Sequence, residues 1–270
     1  MRLSIAQRKN FLYDLDVATS FDGLFSLLEV QSKSLGIDNV LYSFIPSLAL
    51  DFSQDYKPIF VASDGNNYSY LRHYLDARFD LNDYNIKRIK EKKNGRLTPI
   101  DWWSEISRGA LFNDEIEVMA TARADYYMTN GITFPTQSDT TGIAAVSFVC
   151  NEKDRLYIQL QTEIMDDLAF LARAFHRHVV CGDYKNNIFT KPLIKKFGKV
   201  EMDVFRQLLL TGQSANSIAD ELDLGIKSVE AAIHRLRVKL AGKTVEGLPK
   251  ISKDSLIHYG SLMGISDWKW

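Results

Sequence analysis

Ser214-Ala215-Asn216-Ser217-Ile218-Ala219-Asp220-Glu221-Leu222-Asp223-Leu224-Gly225-Ile226-Lys227-Ser228-Val229 reads as a short helix, a tight turn and the opening of a second helix. Two helices that cross steeply need a small residue where their backbones approach, and Ala219 supplies it. Ile218, Leu222, Leu224 and Val229 flank that point and can fill a shared core. Asp223 and Gly225 provide turn chemistry, tolerating unusual φ/ψ or capping a helix end. Ser214 stands where an N-cap is needed, with a side-chain oxygen for an orphan backbone N–H.

The spacing predicts the second helix over residues 226–240. Val229, Ile233, Leu236 and Leu240 recur at i, i+4, i+7 and i+11 and form its buried seam. The other face then presents Lys227, Ser228, Glu230, Ala231, His234, Arg235 and Arg237. A helix displayed this way fits the major groove of duplex DNA, where side chains reach base edges. Lys227, Ser228, Glu230, Ala231 and His234 are the expected base readers. Arg235, Arg237, Lys239 and Lys243 fit phosphates, which position a protein without specifying sequence. A helical bundle with a solvated basic face would share the periodicity. The turn chemistry and the local charge favour the DNA reading over it.

On either side, Met202, Phe205, Leu208 and Leu209 form another apolar stripe, and Leu256, Tyr259 and Met263 a last one. Residues 199–270 are therefore expected to form an all-α, four-helix helix-turn-helix domain. Before it, a long periodic segment stops near Gly182-Asp183-Tyr184-Lys185-Asn186-Asn187, and Pro192 and Gly198 punctuate the lysine-rich stretch beyond. This predicts a linker over 185–198 and a first domain over 1–184. In that domain Phe21 to Leu35 is an amphipathic helix with Ser20 as its cap. Strands are expected at Val40 to Ile45 and Pro58 to Val61, and a helix at Tyr68 to Phe79. Leu111 to Asn130 is expected to be helical, stopped by Gly131. Ile132-Thr133-Phe134 and Ile143 to Val149 read as strands joined by a loop from Gln137 to Gly142. Leu156 to Val180 closes the domain as a long helix. Few strands framed by helices imply an α+β fold with helices on the faces of a mostly antiparallel sheet.

Charge divides along the same boundary. Residues 185–270 carry 14 Lys and Arg against 9 Asp and Glu, whereas residues 1–184 carry 19 against 25. A basic module joined to an acidic one suits a nucleic-acid reader with a separate sensing part. No apolar run is long enough to span a membrane, and the start lacks a secretory h-region, so a cytoplasmic protein is expected. The two cysteines, Cys150 and Cys181, are then expected to be reduced. His176 and His178 fall on different faces of a helix, and no Cys/His cluster has zinc spacing, so no metal and no cofactor is expected. Enzymatic function is disfavoured by the lack of a nucleophile–base pair or a Gly-rich phosphate loop.

The run IADELDLGIKSVEAAIHRLRVKL resembles the DNA-binding domain of LuxR-type quorum-sensing regulators. Ile218-Ala219, Leu222, Ser228-Val229 and Lys239-Leu240 carry the likeness, and Gly212 and Gly264 fall where family glycines do. The first domain resembles the same family's ligand domain. Tyr70, Tyr74 and Asp83 reproduce its aromatic, tyrosine and aspartate spacing. Pro99-Ile100-Asp101-Trp102, Gly131-Ile132-Thr133-Phe134-Pro135 and Gly142 to Phe148 come after them in the family's order.

The resemblance implies an α/β/α sandwich around an antiparallel sheet, binding an N-acyl-homoserine lactone in a homodimeric regulator, by family habit an activator. It implies that Asp83 accepts the ligand amide N–H, Tyr74 donates to the acyl carbonyl, Ser147 holds the amide region and Trp102 packs on the lactone ring. Tyr70 stands where the family has a tryptophan that donates to the lactone carbonyl. Tyr84 replaces a proline, Asp223 a turn glycine and Ala232 a histidine. The residues alone also fit plainer roles: Tyr70, Tyr74 and Trp102 as core aromatics, Asp83 as a helix cap, Ser147 as a backbone partner. A regulator that needs no ligand and answers to a protein partner stays open beside the sensing one.

Overall fold

The computed structural model describes residues 2–46, 58–63, 66–91, 97–109, 111–139, 142–152, 154–181 and 195–262. They fall into two compact units, one ending at Cys181 and one made chiefly of the chain beyond it. The expected boundary at Gly182 to Asn187, Pro192, residues 185–194 of the linker, Met263 and Gly264 lie outside the described residues.

In the first unit five strands form one sheet in the order β2-β1-β5-β4-β3. They are β1 (Asn39–Pro46), β2 (Ile59–Ala62), β3 (Ile100–Asp101), β4 (Asn130–Asp139) and β5 (Gly142–Cys150). β1 pairs with β2, β3 with β4 and β4 with β5, all antiparallel. Among the described residues seven α-helices accompany them: α1 (Ile5–Val17), α2 (Phe21–Lys33), α3 (Asn66–Asp76), α4 (Tyr84–Glu91), α5 (Trp102–Ser107), α6 (Asn113–Tyr126) and α7 (Asp154–Cys181).

Successive strand residues point to opposite faces, and β1 shows what each face meets. The Tyr42 ring stands edge-on to Phe175 of α7, with centroids 5.1 Å apart. Its neighbour Leu41 packs with the cluster of Tyr70, Tyr74 and Trp102 from α3 and α5. The sheet is thus covered on both faces, the α/β/α arrangement that the resemblance implies. Ser20 caps α2 by accepting the Gly23 N–H at 3.0 Å, and Leu24 and Leu28 are fully buried beneath it.

Three local expectations need correction. The helix read to Asn130 stops at Tyr126, where Tyr127 takes a left-handed φ of 58°. Gly131 is no helix stop: it lies in β4 opposite Val149. A Cβ there would sit 2.5 Å from the Trp102 ring, so close packing, not turn geometry, requires the glycine. The loop read from Gln137 to Gly142 is mostly strand, because β4 runs to Asp139 past an irregularity between Pro135 and Gln137.

The second unit holds α8 (Lys199–Thr211), α9 (Ala215–Leu222), α10 (Ile226–Ala241) and α11 (Lys253–Leu262). Phe205, Leu208, Ile218, Val229, Leu236 and Leu256 are fully buried in one core, so the predicted seams of all four helices face each other. Ser214 caps α9 by accepting the Ser217 N–H. The turn strain falls on Asp223 alone, at φ 53° and ψ 47°. Aspartate tolerates this left-handed region better than most side chains. Gly225 has an ordinary extended φ of −67° and simply precedes α10.

Candidate functional site

Tyr70, Tyr74, Asp83, Trp102 and Ser147, singled out in the sequence, all line one cavity of about 70 Å³ in the first unit. Tyr70 and Tyr74 are four apart on α3 and therefore share a face, their rings 5.8 Å apart. Asp83 precedes α4, Trp102 opens α5 and Ser147 projects from β5.

Most polar groups in the wall are committed to one another. The Tyr74 hydroxyl donates to Asp83 Oδ2 at 2.7 Å, and the Asn85 N–H donates to Asp83 Oδ1 at 2.7 Å. Asp83 is thus partly the helix cap that its residue type suggested. Burial pushes its carboxyl above the usual aspartate range despite the bonds from Tyr74 and Asn85. Burial and then the Asp83 charge drive the Tyr74 phenol well above its ordinary value. Tyr70, in the family's tryptophan position, donates its hydroxyl to the Val118 carbonyl at 3.3 Å. The Trp102 indole N–H donates to Thr133 Oγ1 at 2.9 Å, and Thr133 shares a 2.8 Å bond with Ser147 Oγ. Asn85 and Thr133 also line the cavity and were missed by sequence reasoning. Asn85 lies two positions beyond Asp83, which was the only signal available. Its Oδ1 is buried with no hydrogen-bond partner among the described residues.

On α10 of the second unit, Val229, Ala232, Ile233, Leu236 and Leu240 are buried, while Lys227, Ser228, Glu230, Ala231, His234 and Arg235 are exposed. Arg237 and Lys239 are half-buried. Three of the expected phosphate contacts have duties inside the unit. Arg235 Nε donates to Glu201 Oε1 at 2.8 Å, and Lys239 Nζ donates to Glu201 Oε2 at 2.6 Å. Arg237 Nε donates to the Ile251 carbonyl at 2.6 Å, tying α10 to the segment before α11. Glu201 also accepts the Gly198 N–H that opens α8. Burial alone would raise its carboxyl, but the bonds from Lys239, Gly198 and Arg235 hold it below the usual glutamate range.

Elsewhere, Cys150 and Cys181 are free thiols, the first buried and the second exposed. Among the described residues no group of acidic, His or Cys side chains could hold a metal ion, and no helix is long and apolar enough to cross a membrane. His176 is buried on the α7 side of the sheet. It bonds to the Tyr42 hydroxyl at 3.0 Å and to Gln137 Oε1 at 2.8 Å.

A covered sheet enclosing a carboxylate-and-tyrosine cavity, together with a helix-turn-helix unit, defines the LuxR-type class of regulator. Residues 20–179 match the autoinducer binding domain, and the chain belongs to that family of LuxR-type regulators. Its fold is similar to that of Escherichia coli SdiA, with a TM-score of 0.56 at 16% identity over 97% of this chain and 98% of that one. SdiA in complex with octanoyl-rac-glycerol gives a TM-score of 0.57 at 16% identity, covering 97% of each chain. At this identity the likeness is one of fold. Among curated proteins no sequence matches this one.

Proposed function

We propose that the protein is a ligand-responsive, DNA-binding transcription activator that senses an N-acyl-homoserine lactone or a related acylated quorum-sensing signal in the cytoplasm. Residues 1–184 would be the sensing domain, 185–198 the linker and 199–270 the DNA-binding domain. The observation that carries the sensing half is Asp83, a carboxylate in an aromatic-walled cavity with Tyr74 bonded to it. Such a wall suits an acyl chain, and the carboxylate suits a ligand N–H or O–H. Trp102 would pack on the head group, and the Thr133–Ser147 hydroxyl pair would hold the carbonyl region. SdiA, similar in fold, is described with octanoyl-rac-glycerol, which makes acyl glycerols a second probe class beside the lactones.

The cavity of about 70 Å³ is far below the roughly 300–1,000 Å³ of ordinary ligand sites. An occupant larger than this space would displace lining side chains. Ligand binding then stabilises the folded, dimer-competent state by linkage. Two copies of α10 in a homodimer would read a two-fold symmetric operator, with Lys227, Ser228, Glu230, Ala231 and His234 towards bases. Arg235, Arg237 and Lys239 would sit at the phosphates with whatever donors their internal bonds leave. The small cavity and the Tyr70 bond to Val118 favour one second reading, a ligand-independent regulator controlled by a protein partner.

Melting of the purified full chain separates the two. A saturating N-octanoyl-homoserine lactone or 1-octanoylglycerol, near a hundredfold over Kd, should raise Tm by roughly 5–10 °C. No shift with either probe or their longer-chain homologues overturns the sensing reading.

A further inference from the structure

The cavity wall is unevenly supplied with hydrogen-bonding capacity. Its strong donors are occupied: Tyr74 on Asp83, Tyr70 on Val118 and Trp102 on Thr133. The Thr133–Ser147 pair shares one bond between two hydroxyls, so one proton is left over to meet a ligand carbonyl. On the acceptor side the Asn85 carboxamide oxygen is buried and unpartnered among the described residues. A buried acceptor without a partner carries its full desolvation cost, so native structures seldom keep one without a use.

It is the Asn85 backbone N–H that bonds the Asp83 carboxylate, while the side-chain oxygen is the buried atom without a partner among the described residues. Asn85 therefore offers an acceptor at the cavity wall. An N-acyl lactone with an unsubstituted chain carries a single N–H donor. Once Asp83 has taken that donor, Asn85 gains nothing.

We infer that Asn85 is a specificity-determining residue, whose carboxamide oxygen accepts a hydrogen bond from a ligand hydroxyl, so that the cavity prefers acyl ligands with a hydroxylated head over those lacking a second donor. This rests on the cavity being the sensing site and names the ligand class it favours. Sites that hydrogen-bond a substrate hydroxyl reject the analogue lacking it strongly, because the protein group is then left unpaired.

The test uses the full chain and three probes: 1-octanoylglycerol, propyl octanoate, which is the same ester without hydroxyls, and N-octanoyl-homoserine lactone. Titration calorimetry of the unmodified protein should give 1-octanoylglycerol at least about tenfold tighter binding than propyl octanoate, against the greater apolarity of the latter. Asn85→Leu should lower that ratio several-fold, Asp83 still accepting one hydroxyl, while propyl octanoate binds as well or better. A merely structural role would weaken both esters together. A ratio near one in the unmodified protein, with any probe bound, overturns the role of Asn85 and leaves the sensing reading standing. A ratio undiminished in Asn85→Leu does the same. Silence of all three probes and of their longer-chain homologues overturns the sensing reading and this inference with it. Should Asn85→Leu not fold, Asn85→Thr, which keeps an acceptor at shorter reach, should retain a reduced preference, and an undiminished one counts against the proposal.

Discussion

Each unit withdraws a carboxylate from solvent at the start of a helix, Glu201 buried and Asp83 partly so, and the two are treated in opposite ways. Glu201 accepts from the Gly198 N–H, Arg235 and Lys239, and its carboxyl is held below the usual range. Asp83 is pushed above that range, beside the Asn85 amide oxygen, which has no partner among the described residues. A buried polar group whose partners all come from the protein fixes the structure around it. One left short of partners is costly to the free protein and gains when a ligand supplies them. The degree of satisfaction, more than burial itself, separates the supporting site from the recognising one.

The largest expected effect comes from a third buried group of the satisfied kind. His176 has both ring nitrogens engaged, by Tyr42 and Gln137, and burial lowers its pKa from 6.5 to about 4. As pH falls below 6.5 the unfolded chain takes the proton and the folded one does not. Stability is therefore complete above that pH and declines towards pH 4, by roughly 3 kcal/mol across the window. Urea melts at stepped pH should show the decline, and His176→Gln should remove this part of it. An equal slope in the variant would mean that the imidazole titrates freely, and the link between satisfaction and rigidity would fail in this unit.

Next comes the direct contrast between the two carboxylates. Glu201→Ala removes a capping-box partner and strands two cations. Arg235 and Lys239 are half exposed, so water screens them, and the cost should be about 2 kcal/mol. Asp83→Asn should change the melting of the ligand-free protein little and abolish the Tm rise with 1-octanoylglycerol. Exchanged outcomes, an unstable Asp83→Asn or a ligand-blind Glu201→Ala, would break the comparison.

The same contrast explains what could be read in the sequence. The seam of Val229, Ile233, Leu236 and Leu240 was legible because helix periodicity and burial coincide there. Tyr70, Tyr74, Asp83, Trp102 and Ser147 were legible as a group through the resemblance, and the fold does bring them to one cavity. α1 was not: it buries only Phe11 and Leu15, while Ile5, Tyr13 and Val17 are exposed, so its periodicity is weak. Gly131 was misread because a glycine that ends a helix and one that admits a tryptophan ring look the same in one dimension. Asn85 and Glu201 escaped for a shared reason. Their roles depend on how many partners tertiary packing supplies, and no spacing rule counts those.

The smallest expected effect concerns Arg235, where support and recognition compete for one side chain. Its Nε is committed to Glu201, yet the side chain is 50% exposed, so part of the guanidinium can still meet a phosphate. If it does, Arg235→Ala should reduce the slope of log affinity against log salt by about one, equally on all duplexes. The slope separates the roles, because loss of support lowers the fraction of folded protein without changing the number of counterions released. Lys227→Ala and His234→Ala should instead alter sequence preference, since each stands on the open face of α10 away from Glu201. An unchanged slope for Arg235→Ala, with reduced stability, would assign the arginine wholly to Glu201 and move the phosphate contacts elsewhere on the unit.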